Sequence, residues 1–117
     1  MYDIEQLYRN DYGIAFFWKK GDQRKKDSVQ LVFRDTGFYL NKRQLISFYE
    51  ETTIAAKGPY CDQCDEKKDC RVILLRTPSA FIDLAVSQNE LDKIQDLIRG
   101  TLFYLDLQKY LNELCRN

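Results

Sequence analysis

A chain of 117 residues is the length of one domain, and 44% hydrophobic with 14% aromatic residues is enough to build a packed core. Eighteen basic side chains balance eighteen acidic ones, so no net charge recommends the chain as a general nucleic-acid or membrane-surface binder. There is no histidine, which removes the commonest general base near neutral pH, the Ser-His and Cys-His nucleophile pairs and every His-dependent zinc site.

The first residues, MYDIEQLYRN, have neither the basic nor the apolar stretch of a secretory signal, and no apolar run approaches the roughly 18 residues needed to span a bilayer. A cytoplasmic protein without a membrane segment is expected. Residues 12–19 are rich in aromatics and read as a strand, followed by a polar turn over 20–28. In that turn Lys19, Lys20, Arg24, Lys25 and Lys26 gather beside Phe16, Phe17 and Trp18. Cations for phosphates next to rings for base stacking is the recipe of a single-strand nucleic-acid binder. It is also the composition of a solubilising turn beside a core strand, which zero net charge favours.

From Val29 the text VQLVFR-DTG-FYL places Val29, Leu31 and Phe33 on one face of a hairpin, with turn residues Asp35, Thr36 and Gly37. Asn41 then stands where it can cap a helix, with Gln44 three residues later to complete a capping box and Leu40 and Leu45 to form a hydrophobic staple. Leu45, Phe48, Tyr49 and Thr52 continue at helical spacing.

Next comes GPYCDQCDEKKDCR, with three of the four cysteines, Cys61, Cys64 and Cys70; the fourth is Cys115. Two thiolates two residues apart can chelate a soft cation, and Cys70 could be a third ligand, so zinc enters as a candidate cofactor. The second cysteine pair of a zinc ribbon is missing, and Asp62, Asp65, Glu66 and Asp69 disfavour thiolates. An unliganded loop and a redox pair are the competing readings.

The hairpin-and-cap grammar then returns: RVILLR, the turn Thr77-Pro78-Ser79, FIDLAV, and Ser87 with Glu90 opening a second helix, 46 positions after Asn41. Leu40 corresponds to Val86, Leu45 to Leu91 and Phe48 to Ile94, which suggests duplicated ββα units over 29–57 and 71–114. In the last helix Leu91, Ile94, Ile98, Leu102 and Leu105 make one stripe, and Phe103, Leu107, Tyr110 and Leu114 make another almost opposite. Running from Ser87 to Leu114 without interruption, it would be about 42 Å long, more than the width of such a domain. Either it bends at Gly100 and returns over Ile4, Leu7 and Tyr8, or its second stripe is a self-association surface.

These elements predict a single α+β domain: an antiparallel sheet of about five strands with two main helices on one face. The stretch CRVILLRTPSAFIDLAVSQNELDKIQDLIRGTLFYLDLQKYL, and more loosely VQLVFRDTGFYLNKRQLISFYEE, resembles a family of small bacterial proteins of unknown function. The shared pattern is a strand, a Thr-Pro turn, a strand ending in small and apolar residues, and a Glu-Leu helix start. The resemblance implies a cytosolic protein that is non-enzymatic or uncharacterised, and it carries over no catalytic residue. No carboxylate pair and no Ser or Thr with a base stands out for catalysis. The expected function is that of a non-enzymatic interaction module that forms a homodimer, with a nucleic-acid binder and a cysteine-based metal or redox protein as alternatives.

Overall fold

The chain is described by a computed structural model that covers residues 3–21, 23–24, 28–58 and 70–114. Its elements run β1 Asp3–Arg9, β2 Gly13–Lys20, β3 Gln23–Arg24, β4 Val29–Phe33, β5 Thr36–Leu40, α1 Lys42–Lys57, β6 Ile73–Arg76, β7 Asp83–Val86 and α2 Gln88–Leu114. The fold is α+β, and the strands pair antiparallel. The expected single sheet of about five strands is instead two sheets. The main one has the order β1-β2-β4-β5, with the two-residue β3 paired to β2, and β6-β7 forms a separate ribbon. A two-stranded ribbon completes its inner ladder alone, and its inward face, Ile73, Leu75 and Val86, is buried against the common core while Leu74 and Ala85 lie exposed on the other. Its alternation therefore reads the same whether or not it joins the large sheet.

The strand over residues 3–9 is not among the elements the sequence predicts, where the segment figures only as the place to which a bent last helix would return. Between Gln6 and Tyr8 the register with β2 slips: Gln6 faces Phe16 and Tyr8 faces Ala15, so Leu7 is the extra residue of a β-bulge. The slip turns both Leu7, buried at 5% exposure, and Tyr8 toward the helices. That is why β1 lacks the strict alternation by which a strand is recognised. In β4 the alternation is clean: Val29, Leu31 and Phe33 are buried. Its turn lies one position earlier than expected, at Arg34 and Asp35, with Thr36 already paired to Phe33. Arg34 has φ 54, a left-handed conformation that costs a non-glycine residue of order 1 kcal/mol.

Both helix starts follow their sequence signals. Asn41 Oδ1 accepts from the Gln44 N–H at 2.9 Å, and Gln44 Oε1 accepts from the Asn41 N–H at 3.0 Å. Ser87 Oγ accepts from the Glu90 N–H at 3.1 Å, and Glu90 Oε1 accepts from the Ser87 N–H at 3.0 Å. Each box satisfies donors that a bare helix end would leave unpaired. The helices lie antiparallel to each other on one face of the main sheet, with Lys42 of α1 beside Asp106 of α2 and Gln95 of α2 donating to Thr52 and Thr53. Leu45, Phe48, Leu91, Ile94, Leu97 and Ile98 meet Leu31, Phe33 and Leu75 in one buried cluster that draws on both sheets and both helices.

Of the two alternatives for Gly100, the chain does not turn back there: the helix runs through it unbroken. α2 is one helix of 27 residues, about 40 Å long. Gly100 has a different role: a Cβ there would stand 2.5 Å from the Tyr8 ring, so the absent side chain is the space that ring occupies. Tyr8 also donates its hydroxyl to Asp96 and packs against Tyr104, 6.1 Å between centroids. The N-terminal segment and the last helix do meet, but the strand comes to an unbroken helix.

Candidate functional site

Along its first half α2 is enclosed by the main sheet and by α1. Asn10, in the β1-β2 turn, donates to the Lys93 carbonyl and to Asp96, while its Oδ1 accepts from the N–H groups of Tyr12 and Gly13. The Asn10 bond lowers the Asp96 pKa first; partial burial works against it and the Tyr8 hydroxyl supports it. Beyond Gln108, every residue from 109 to 114 is exposed.

On the outward face of this second half, Phe103 is 62% exposed, Tyr110 57% and Leu114 55%. Leu107 is partly buried. At 100° per residue these four fall in one arc with Tyr104 and Leu111, also exposed, and the arc is about 120° wide. The sequence reading had named the first four; Tyr104 and Leu111 belong to the same surface and were missed because a strict 4-3-4 stripe skips them. Phe103 and Tyr104 pack edge to face, 5.6 Å between centroids, which extends the apolar surface toward Tyr8.

At the other end of α2 a polar knot joins four parts of the chain. Glu90 accepts from Arg71 through both carboxylate oxygens, at 2.8 and 3.1 Å, and from the Tyr12 hydroxyl at 2.7 Å; Arg34 Nε lies 3.6 Å away. Burial alone would raise the Glu90 pKa, but the bonds from Arg71, Tyr12 and the Ser87 N–H, with the Arg34 charge, bring it down to about 2. Burial, then the bond to Glu90, pushes Tyr12 up to about 12. At neutral pH Glu90 is therefore ionised and Tyr12 neutral. The work of the knot is to tie the β4-β5 turn, the β1-β2 turn and the entry to β6 onto the start of α2.

The basic cluster is only partly placed. Lys19 and Lys20 close β2, on opposite faces of the sheet, and Arg24 belongs to β3 opposite Lys19. Lys25 and Lys26 lie outside the described residues, as do Cys61, Cys64 and Cys115. Cys70 is partly buried just before β6. Among the described residues no group of three or more Cys, Asp or Glu side chains is arranged to hold a metal ion, and no helix is long and apolar enough to cross a membrane. A hollow of about 150 Å³ at the β6-β7 turn, lined by Arg76, Thr77, Ser79, Ala80 and Asp83, is smaller than small-molecule sites usually are. The Thr77 hydroxyl there is engaged by the Ile82 carbonyl and the Ser79 N–H. Comparison of the chain with protein-family models, with curated proteins and with solved structures finds no match.

Proposed function

We propose that this protein is an interaction module that self-associates as a two-fold homodimer through the outward face of the second half of α2. The observation that carries this reading is the single arc of Phe103, Tyr104, Tyr110, Leu111 and Leu114, each 40% exposed or more, on a helix whose other stripe is buried at Leu91, Ile94 and Ile98 and packed against the core at Leu102 and Leu105. With about 200 Å² for a fully exposed aromatic side chain, the arc presents roughly 500 Å² of apolar surface, in the range where the largest patch on a soluble protein often binds something.

A second copy fits this surface better than an arbitrary partner because the spacing reads the same in both directions. From Phe103 to Leu107, Tyr110 and Leu114 the steps are 4, 3 and 4, so an antiparallel pair related by a two-fold axis sets Phe103 against Leu114 and Leu107 against Tyr110. Two such arcs would bury roughly 1,000 Å², the lower bound of a specific interface.

The test is the mass in solution. Light scattering at micromolar concentration should return twice 13.9 kDa. Leu111→Glu and Leu114→Glu, both at exposed positions outside the buried cluster, should return single chains with unchanged far-UV circular dichroism. A 13.9 kDa particle from the unmodified protein overturns the proposal.

A further inference from the structure

With both helices on one side, the other face of the main sheet has no helix or strand packed on it among the described residues. Strand alternation assigns the residues to each face: Ala15 and Phe17 of β2 and Leu31 and Phe33 of β4 point to the core, so Phe16, Trp18, Lys20 and Gln30 point away from it. Tyr39 lies opposite Gln30, and Arg9 lies opposite Ile14, on this same face. The charge on this face is one-sided. The main strands contain two carboxylates, Asp3 and Glu5, and both lie on the helix side, where Glu5 accepts from Gln108. The helix-free face carries the cations Arg9 and Lys20, both exposed, and neither has a carboxylate partner among the described residues.

The rings between these cations are held in place. Phe16, 8% exposed, meets Trp18 edge to face with 5.0 Å between centroids and supports it. The Trp18 indole N–H donates to Gln30 Oε1 at 3.1 Å, and the Gln30 amide in turn donates to the Phe38 carbonyl. Trp18 is thereby fixed with part of its ring exposed, and Tyr39, 40% exposed, stands two strand spacings away, about 10 Å across the sheet. From the level of Arg9 to Lys20 is six residues along β2, about 20 Å.

We propose that this sheet face binds single-stranded nucleic acid, with Arg9 and Lys20 taking phosphates at its two ends and Trp18 and Tyr39 stacking bases between them. A protein strand or helix would also accept the rings. However, a face whose described strand residues include no carboxylate, with a cation at each end, complements an anionic chain that carries planar groups, and rings at a sheet surface suit unpaired bases. The proposal is independent of the dimer, which uses a different surface.

The chain has one tryptophan, so its fluorescence reports on this face alone. Titration with short oligo-dT and oligo-U should quench Trp18 saturably. Two phosphate contacts predict a salt slope of about −1.4, or roughly a sevenfold loss of affinity between 50 and 200 mM salt. Arg9→Glu and Lys20→Glu, both at exposed positions, should each weaken binding by tenfold or more, and Tyr39→Ala by about tenfold through lost stacking. No binding at 50 mM salt overturns the proposal. So does binding that leaves Trp18 fluorescence unchanged or is indifferent to both charge reversals, since either result places the nucleic acid on another surface.

Discussion

Glu90 shows how much one side chain can be asked to do. It completes the capping box of α2 and at the same time receives Arg71, Tyr12 and the charge of Arg34. Arg34 in turn donates to the Ala85 carbonyl from its left-handed turn, so a strained residue is held where its side chain links the two sheets. Because the folded pKa of Glu90 is depressed, from 4.5 to about 2, its contribution to stability is complete above the unfolded value and is lost as pH falls through about 2. Arg71 is more than half exposed and solvent screens its share, so the contribution at pH 7 should be about 1–2 kcal/mol. Urea melts of the wild type and Glu90→Gln at successive pH values check this. The two should differ in full at pH 6 to 7 and converge between pH 4 and 2, and a constant difference would show that the carboxylate charge is not what stabilises.

At the scale of the elements, α2 and β1 set each other's form. An isolated glycine weakens a helix by up to about 1 kcal/mol relative to alanine, yet α2 passes through Gly100 without a break. The Tyr8 ring, held by its bond to Asp96 and by Tyr104, lies over the helix at that point. Gly100→Ala should therefore destabilise the protein in spite of the better propensity, because the added methyl meets the ring. In a Tyr8→Ala background the same change should stabilise by about 0.5–1 kcal/mol. Denaturant midpoints of the four proteins give the coupling, and a stabilising Gly100→Ala in the wild type would show that the ring yields. The two capping boxes have the same construction 46 residues apart, but the hairpins ahead of them sit in different sheets. Similar local signals thus end in different surroundings.

For the whole molecule, the described residues extend 58 × 32 × 27 Å, and the long axis is in keeping with a 40 Å helix whose last turns stand clear of the core. The separation of the sheets does not divide the core: Ile73, Leu75 and Val86 of the ribbon belong to the same buried cluster as Leu31, Phe33 and Phe48. Such a core should unfold as one unit. Trp18, in the main sheet, and far-UV circular dichroism, which is dominated by the helices, should follow coincident urea transitions. An early separate phase in either signal would show that the ribbon or the end of α2 melts on its own.

What the sequence by itself determined is what is decided within a few residues. The β4-β5 hairpin, both helix starts and the two stripes of α2 were legible from alternation, capping side chains and helical spacing, because each depends on neighbours in the chain. The tertiary structure decided the rest. β1 is a strand because β2 pairs with it, and its bulge conceals the alternation. The ribbon stands apart from the main sheet although its pattern is the same as β4-β5. The space beside Gly100 is taken by a ring 92 positions earlier, and Glu90 is more than a cap because Tyr12, Arg34 and Arg71 reach it from three other segments. For the candidate surfaces the division is similar: the stripe from Phe103 to Leu114 was visible as a period, while the face carrying Trp18 and Tyr39 exists only once four strands lie side by side and the helices have covered the opposite face.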